Sequence, residues 1–158
     1  MIKKALVLLC LMLTLSACGL FKKKKTPPPP PPEPTRVVVR FDAAGDMNPN
    51  GEGRASPLGV RIYQLRSYPA FGKADFFSLY DDDDSVLGSE LLEKQEIMLM
   101  PNEKRTVFFE PEEGTHTIGF LGMFMMHEGI QWKAAAGVRA NKTTVIDITV
   151  NSAGITVR

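Results

Sequence analysis

The sequence predicts a mainly β fold: a two-sheet antiparallel β-sandwich of seven or eight strands, with a small helical insert between strands two and three. Three observations carry this reading. Apolar residues recur with period two through most of residues 35–158, as expected of strands with one face in a core. Turn-forming clusters such as Pro111-Glu112-Glu113-Gly114 and Asn151-Ser152-Ala153-Gly154 punctuate those runs. The period breaks within residues 71–92, where apolar residues fall at helical spacing.

The elements before the sandwich are not built to fold. Met1-Ile2-Lys3-Lys4 is a basic head, and Ala5–Leu15 is an apolar run shorter than the ~20 residues that a membrane-spanning helix needs. Residues 1–17 therefore read as a secretory signal peptide. The break Leu15-Ser16-Ala17-Cys18 resembles the lipobox of bacterial lipoproteins. That resemblance implies cleavage before Cys18, with lipid on its sulfur and then on its new amine. Gly19 is not the aspartate that commonly retains lipoproteins in the inner membrane, so the resemblance implies an outer-membrane anchor.

Residues 18–34 form the arm behind the lipid. Lys22–Lys25 would sit at the headgroups, gaining about 1 kcal/mol each near anionic lipid. Pro27–Pro32 and Pro34 favour the polyproline helix at about 3.1 Å per residue, so Phe21–Pro34 would reach on the order of 40 Å. Cys10 falls in the discarded segment and Cys18 carries lipid, so the exported body has no thiol and no disulfide.

Residues 35–158 have the length of one domain. They hold 13 of the 19 basic and 17 of the 18 acidic residues, a formal −4. That balance argues against nucleic-acid binding, which asks for a clustered basic surface. The first strand is Arg36–Asp42, with Val37, Val39 and Phe41 inward; the second is Leu58–Leu65. Phe71–Tyr80 and Ser85–Leu92 supply the helical insert. The runs Glu96–Met100 and Arg105–Glu110 flank a hairpin turn at Pro101–Lys104, and a long strand follows from Thr115 to about Met126. Gln131–Val138, Thr143–Val150 and Ile155–Val157 complete the set.

Several blocks also resemble a known family. Asn48–Leu65 (NPNGEGRASPLGVRIYQL), Phe71–Tyr80 (FGKADFFSLY), Leu87–Leu92 (LGSELL) and Gln131–Lys133 (QWK) are similar to the type VI secretion lipoprotein family TssJ. The resemblance runs from about Phe41 to Trp132; Pro101-Asn102-Glu103 stands where the family often has Pro-Gly-Glu, and the proline arm is longer than expected. It implies a transthyretin-like sandwich, lipid-anchored to the outer membrane and facing the periplasm. There it would bind the periplasmic C-terminal domain of the inner-membrane protein TssM, with no catalysis. A pilotin-like assembly chaperone and a periplasmic metal-binding lipoprotein are the alternatives.

Candidate sites follow from residues and resemblance together. Ala43–Pro57 is long for a strand connection, and long loops are often functional. The resemblance makes it the partner-binding loop, with Asp46, Met47, Asn48, Pro49, Asn50, Gly51, Glu52 and Arg54 as contacts. Its polar residues are expected to face outward, so that replacing Met47–Gly53 would leave the core intact. Asp46–Gly51 matches half of a calcium loop, but Pro57 occupies the twelfth position, where a glutamate is needed. Asp81–Asp84 reads as a self-repelling, solvated turn, with Asp84 or Ser85 capping a following helical turn. Met123, Met125 and Met126 read as core on a strand, as does Trp132. Two histidines, His116 and His127, without a thiol or nucleophile motif give no basis for an enzyme. No cofactor, metal or small-molecule substrate is expected beyond the covalent lipid on Cys18.

Overall fold

The computed structural model describes residues 31–158; the signal segment, Cys18, Gly19, Lys22–Lys25 and Pro27–Pro30 lie outside the described residues. Alternation in β1 (Arg36–Ala43) buries Val37, Val39, Phe41 and Ala43, as the pattern predicts. The remaining strands are β2 (Leu58–Leu65), β3 (Leu91–Leu99), β4 (Lys104–Phe109), β5 (Thr117–Gly122), β6 (Lys133–Gly137), β7 (Thr143–Asn151) and β8 (Gly154–Val157). They form two four-stranded sheets, ordered β4-β1-β7-β8 and β3-β2-β5-β6. The predicted sandwich is therefore the observed one, with one departure from an all-antiparallel plan. β1 and β7 pair in parallel from Arg36↔Thr143 to Ala43↔Val150.

The two inner faces meet over Val37, Val39, Phe41, Leu58, Val60, Ile62, Ile118, Phe120, Ile146, Ile148 and Val150. Phe41 and Phe120 make an edge-to-face contact at 6.1 Å between the sheets. Side chains of this size contribute about 1.5–3 kcal/mol each on burial. Leu58–Leu65 reads as almost continuously buried because β2 is covered on both sides. Its outer face, through Tyr63, Leu65 and the neighbouring Leu121, packs under Phe71, Phe76, Leu79 and Leu87 of the insert.

The insert contains α1 (Pro69–Lys73), α2 (Phe76–Leu87) and a 3-10 turn at Gly88–Glu90. The cap of α2 is Asp75 rather than Asp84 or Ser85: its carboxylate accepts the Ser78 N–H at 3.0 Å and the Ser78 hydroxyl at 2.6 Å. Lys133 Nζ closes the other short helix by donating to the carbonyls of Phe71, Gly72 and Ala74 at 2.7–2.9 Å, where the helix end is electronegative.

Three further expectations are corrected. Pro101–Lys104 is not a hairpin turn, because β3 pairs with β2 in one sheet and β4 with β1 in the other. The turn carries the chain between sheets, with Asn102 in the left-handed region (φ 64°). β5 stops at Gly122, not near Met126: the Phe124 N–H returns to the Gly122 carbonyl at 2.9 Å and the Phe124 ring is buried. Met125 and Met126 consequently stand exposed instead of filling the core. Trp132 is half-buried and lies against both clusters.

Candidate functional site

The β1–β2 connection is a folded platform with a raised tip. Its base is fastened at three points. Met47 is fully buried in the sandwich core. Asn48, 2% exposed, donates from Nδ2 to the Pro57 carbonyl at 2.7 Å and accepts the Met125 N–H on Oδ1 at 2.9 Å. Asp46 accepts the Ser152 hydroxyl at 2.7 Å, tying the loop to the β7–β8 turn. Asn48 adopts φ 44°, a conformation that asparagine tolerates better than most residues.

This geometry corrects the expected orientation of two residues. Met47 and Asn48 point inward, because the loop's apolar side chain and its amide complete the core and the loop base. A Gly/Ser replacement of Met47–Gly53 would therefore remove structural anchors along with the tip.

Residues 50–54 form the tip. Asn50 Oδ1 accepts the N–H groups of Glu52 and Arg54 at 3.0 and 2.9 Å, and backbone bonds Asn50 N–H to Arg54 carbonyl and Gly53 N–H to Asn50 carbonyl close the turn. Gly53 sits at φ 77°, which suits a residue without Cβ. Gly51, Glu52, Gly53 and Arg54 are exposed, with Pro49 and Asn50 half-exposed beside them. Arg54 and Glu52 pair at 2.6 Å with both side chains mostly in solvent, so the pair adds little stability.

The acidic run behaves differently from its expected role. Asp81–Asp84 lies within α2, and the backbone leaves helical dihedrals at Asp82 (φ −145°, ψ 50°). Asp83 is 5% exposed. One carboxylate oxygen accepts Lys94 Nζ at 2.6 Å; the other accepts Arg61 at 2.7 Å and the Tyr63 hydroxyl at 3.0 Å. Burial alone would push this carboxyl up, but Lys94, Tyr63 and Arg61 outweigh it and hold its pKa below the usual carboxylate range. Burial raises the pKa of the Tyr63 phenol in turn. Asp83 is thus the bolt between the insert and the sheet, and the signal that reveals it is two cations, Arg61 and Lys94, on the paired strands β2 and β3. Asp81, Asp82 and Asp84 are exposed.

Among the described residues no group of three or more His, Cys, Asp or Glu side chains is placed to hold a metal ion, and no helix is long and apolar enough to cross a membrane. His127 is stacked on Phe76 at 4.0 Å.

Comparison with known proteins agrees with this architecture. The family described as "Type VI secretion lipoprotein, VasD, EvfM, TssJ" matches residues 35–153. Among solved structures, the lipoprotein TssJ1 from Pseudomonas aeruginosa is 36% identical with a TM-score of 0.75, covering 79% of this chain and 95% of that one. Serratia marcescens Lip, a membrane-bound component of the type VI secretion system, is 24% identical with a TM-score of 0.73 over 79% and 98%. A chain of the structure described as the T6SS protein TssM C-terminal domain from EAEC is 18% identical with a TM-score of 0.64 over 78% and 98%. At their lower identity, the last two speak to the fold alone. No curated protein matches by sequence. The match across residues 35–153, with the sandwich and helical insert it accompanies, makes this chain a member of the type VI secretion lipoprotein family TssJ.

Proposed function

We propose that this chain is the outer-membrane lipoprotein of a type VI secretion trans-envelope complex, anchored by lipid on Cys18 and facing the periplasm. Its body binds the periplasmic C-terminal domain of a TssM-like inner-membrane protein through the β1–β2 tip. Residues 1–17 are the removed signal peptide, residues 18–34 the lipidated arm and residues 35–158 the binding domain. Gly19 leaves the protein free to move to the outer membrane.

The observation that carries the reading is the construction of the loop. Its base is fixed by Met47 and Asn48, while Asn50, Gly51, Glu52 and Arg54 are raised into solvent on a hydrogen-bonded turn. A loop already held in shape gives up little conformational freedom on binding. Asp46, Pro49, Asn50, Gly51, Glu52 and Arg54 are the contacts; Met47 and Asn48 set their position. This role calls for a binding surface, not for catalysis.

The anchor is tested by Cys18→Ser with labelled palmitate. Loss of label and of secretion is expected; label retained by the mutant contradicts the assignment. Gly19→Asp should move the protein to the inner-membrane fraction, and an unchanged outer-membrane fraction would refute the sorting role. Partner binding is tested by co-purifying the periplasmic domain of a TssM-like protein with the full chain, and absence of a complex would refute it.

A further inference from the structure

Four large apolar side chains lie exposed on α2 and on the β5–β6 loop that packs against it, and the core does not explain them. Phe77 and Tyr80 of α2 are 59% and 45% exposed, and Met125 and Met126 of the β5–β6 loop are 60% and 61% exposed. His127 joins the two pairs. Its ring stands edge-on to Phe77 at 4.9 Å and stacks on Phe76, which itself stacks on Tyr80 at 5.7 Å. At the other end, the hydrogen bond from Met125 N–H to Asn48 fastens the surface to the base of the β1–β2 loop. Apolar residues scattered singly are ordinary, but a contiguous exposed set marks an interaction site.

The rim of this surface says what it fits. Asp81 and Asp82 follow Tyr80 directly and Glu128 follows His127; all three are exposed and none takes part in an ion pair among the described residues. Carboxylates around an apolar centre attract a segment with an apolar anchor and flanking cations. Methionine adds an unbranched, polarisable chain that adapts to the shape of what it meets. An anionic lipid surface would be repelled by the same carboxylates.

We infer that Phe77, Tyr80, Met125 and Met126 form a second docking surface, adjoining the base of the β1–β2 loop, for a segment of the same TssM-like partner. That segment carries an apolar or aromatic anchor flanked by lysine or arginine. The inference rests on the proposed function, which supplies the partner. The apolar centre holds the complex and the acidic rim speeds its formation.

The test titrates the full chain in detergent with the partner's periplasmic domain at low and high salt. Phe77→Ser combined with Met126→Ser should weaken binding by about tenfold or more. Asp81→Lys combined with Glu128→Lys should slow association and flatten its salt dependence. Met126→Leu keeps the apolar contact and should bind as wild type, which separates lost contact from lost fold. If the wild-type chain does not bind, the proposed function fails and takes this inference with it. If the wild type binds and a tip replacement weakens it while both patch variants bind normally, the patch alone is refuted.

Discussion

The β1–β2 loop and the acidic run in α2 are both polar segments between apolar elements, yet the fold uses them in opposite ways. In the loop, the inward residues are one methionine and one asparagine, and the charged Glu52 and Arg54 are left at the tip. In α2, one of four identical aspartates is taken inside and bonded to Arg61, Lys94 and Tyr63, while the other three remain outside. Each segment thus divides its residues between support and display, and residue type alone does not say which is which.

The largest expected effect comes from removing the support in α2. Asp83→Ala leaves Arg61 and Lys94 facing each other without their shared anion, and removing one partner of a buried pair commonly costs about 3 kcal/mol. Chemical denaturation should show that loss. The same bond gives a pH signature. Because the folded-state pKa of Asp83 lies below its ordinary value of 3.8, its stabilisation is fully present above the unfolded value and is lost as pH falls through the folded one. Asp83→Asn should therefore blunt the fall in stability on acidification below about pH 4; an acid limb identical to wild type would contradict this.

A smaller loss is expected from the support in the loop. Asn48→Ala leaves the Met125 N–H and the Pro57 carbonyl without their partner and puts alanine at positive φ, at a cost of about 2 kcal/mol. A thermal melt reads it, and no change in melting would show that the loop base is not held as described.

The contrast also explains what was legible in the sequence. The strands and the insert were readable because burial imposes period two on β1 and β7 and helical spacing on Phe76 and Leu79. Asp83 was hidden because its partners lie 22 and 11 residues away, on strands whose pairing no local pattern encodes. Asn48 was hidden for the same reason, since its partner Met125 is 77 residues distant. The end of β5 was missed because Met125 and Met126 continue an apolar run that the turn at Phe124 throws outward. In the candidate site, the tip was legible from its polarity and the direction of Met47 and Asn48 was not.

Changes on the display side should barely alter stability. Asp81→Asn with Asp82→Asn touches exposed side chains without ion-pair partners among the described residues, and surface substitutions of this kind stay within about 0.5 kcal/mol. A melt that falls as far as that of Asp83→Ala would erase the distinction drawn between the four aspartates.

The division between support and display is tested most directly by replacing residues 50–54 with a Gly/Ser stretch of equal length and titrating the full chain with the TssM-like periplasmic domain by calorimetry. Met47 and Asn48 stay in place, so melting should remain at the wild-type value while affinity falls by about tenfold, or 1.4 kcal/mol. Unchanged affinity, or a tip replacement that unfolds the domain, would contradict the account.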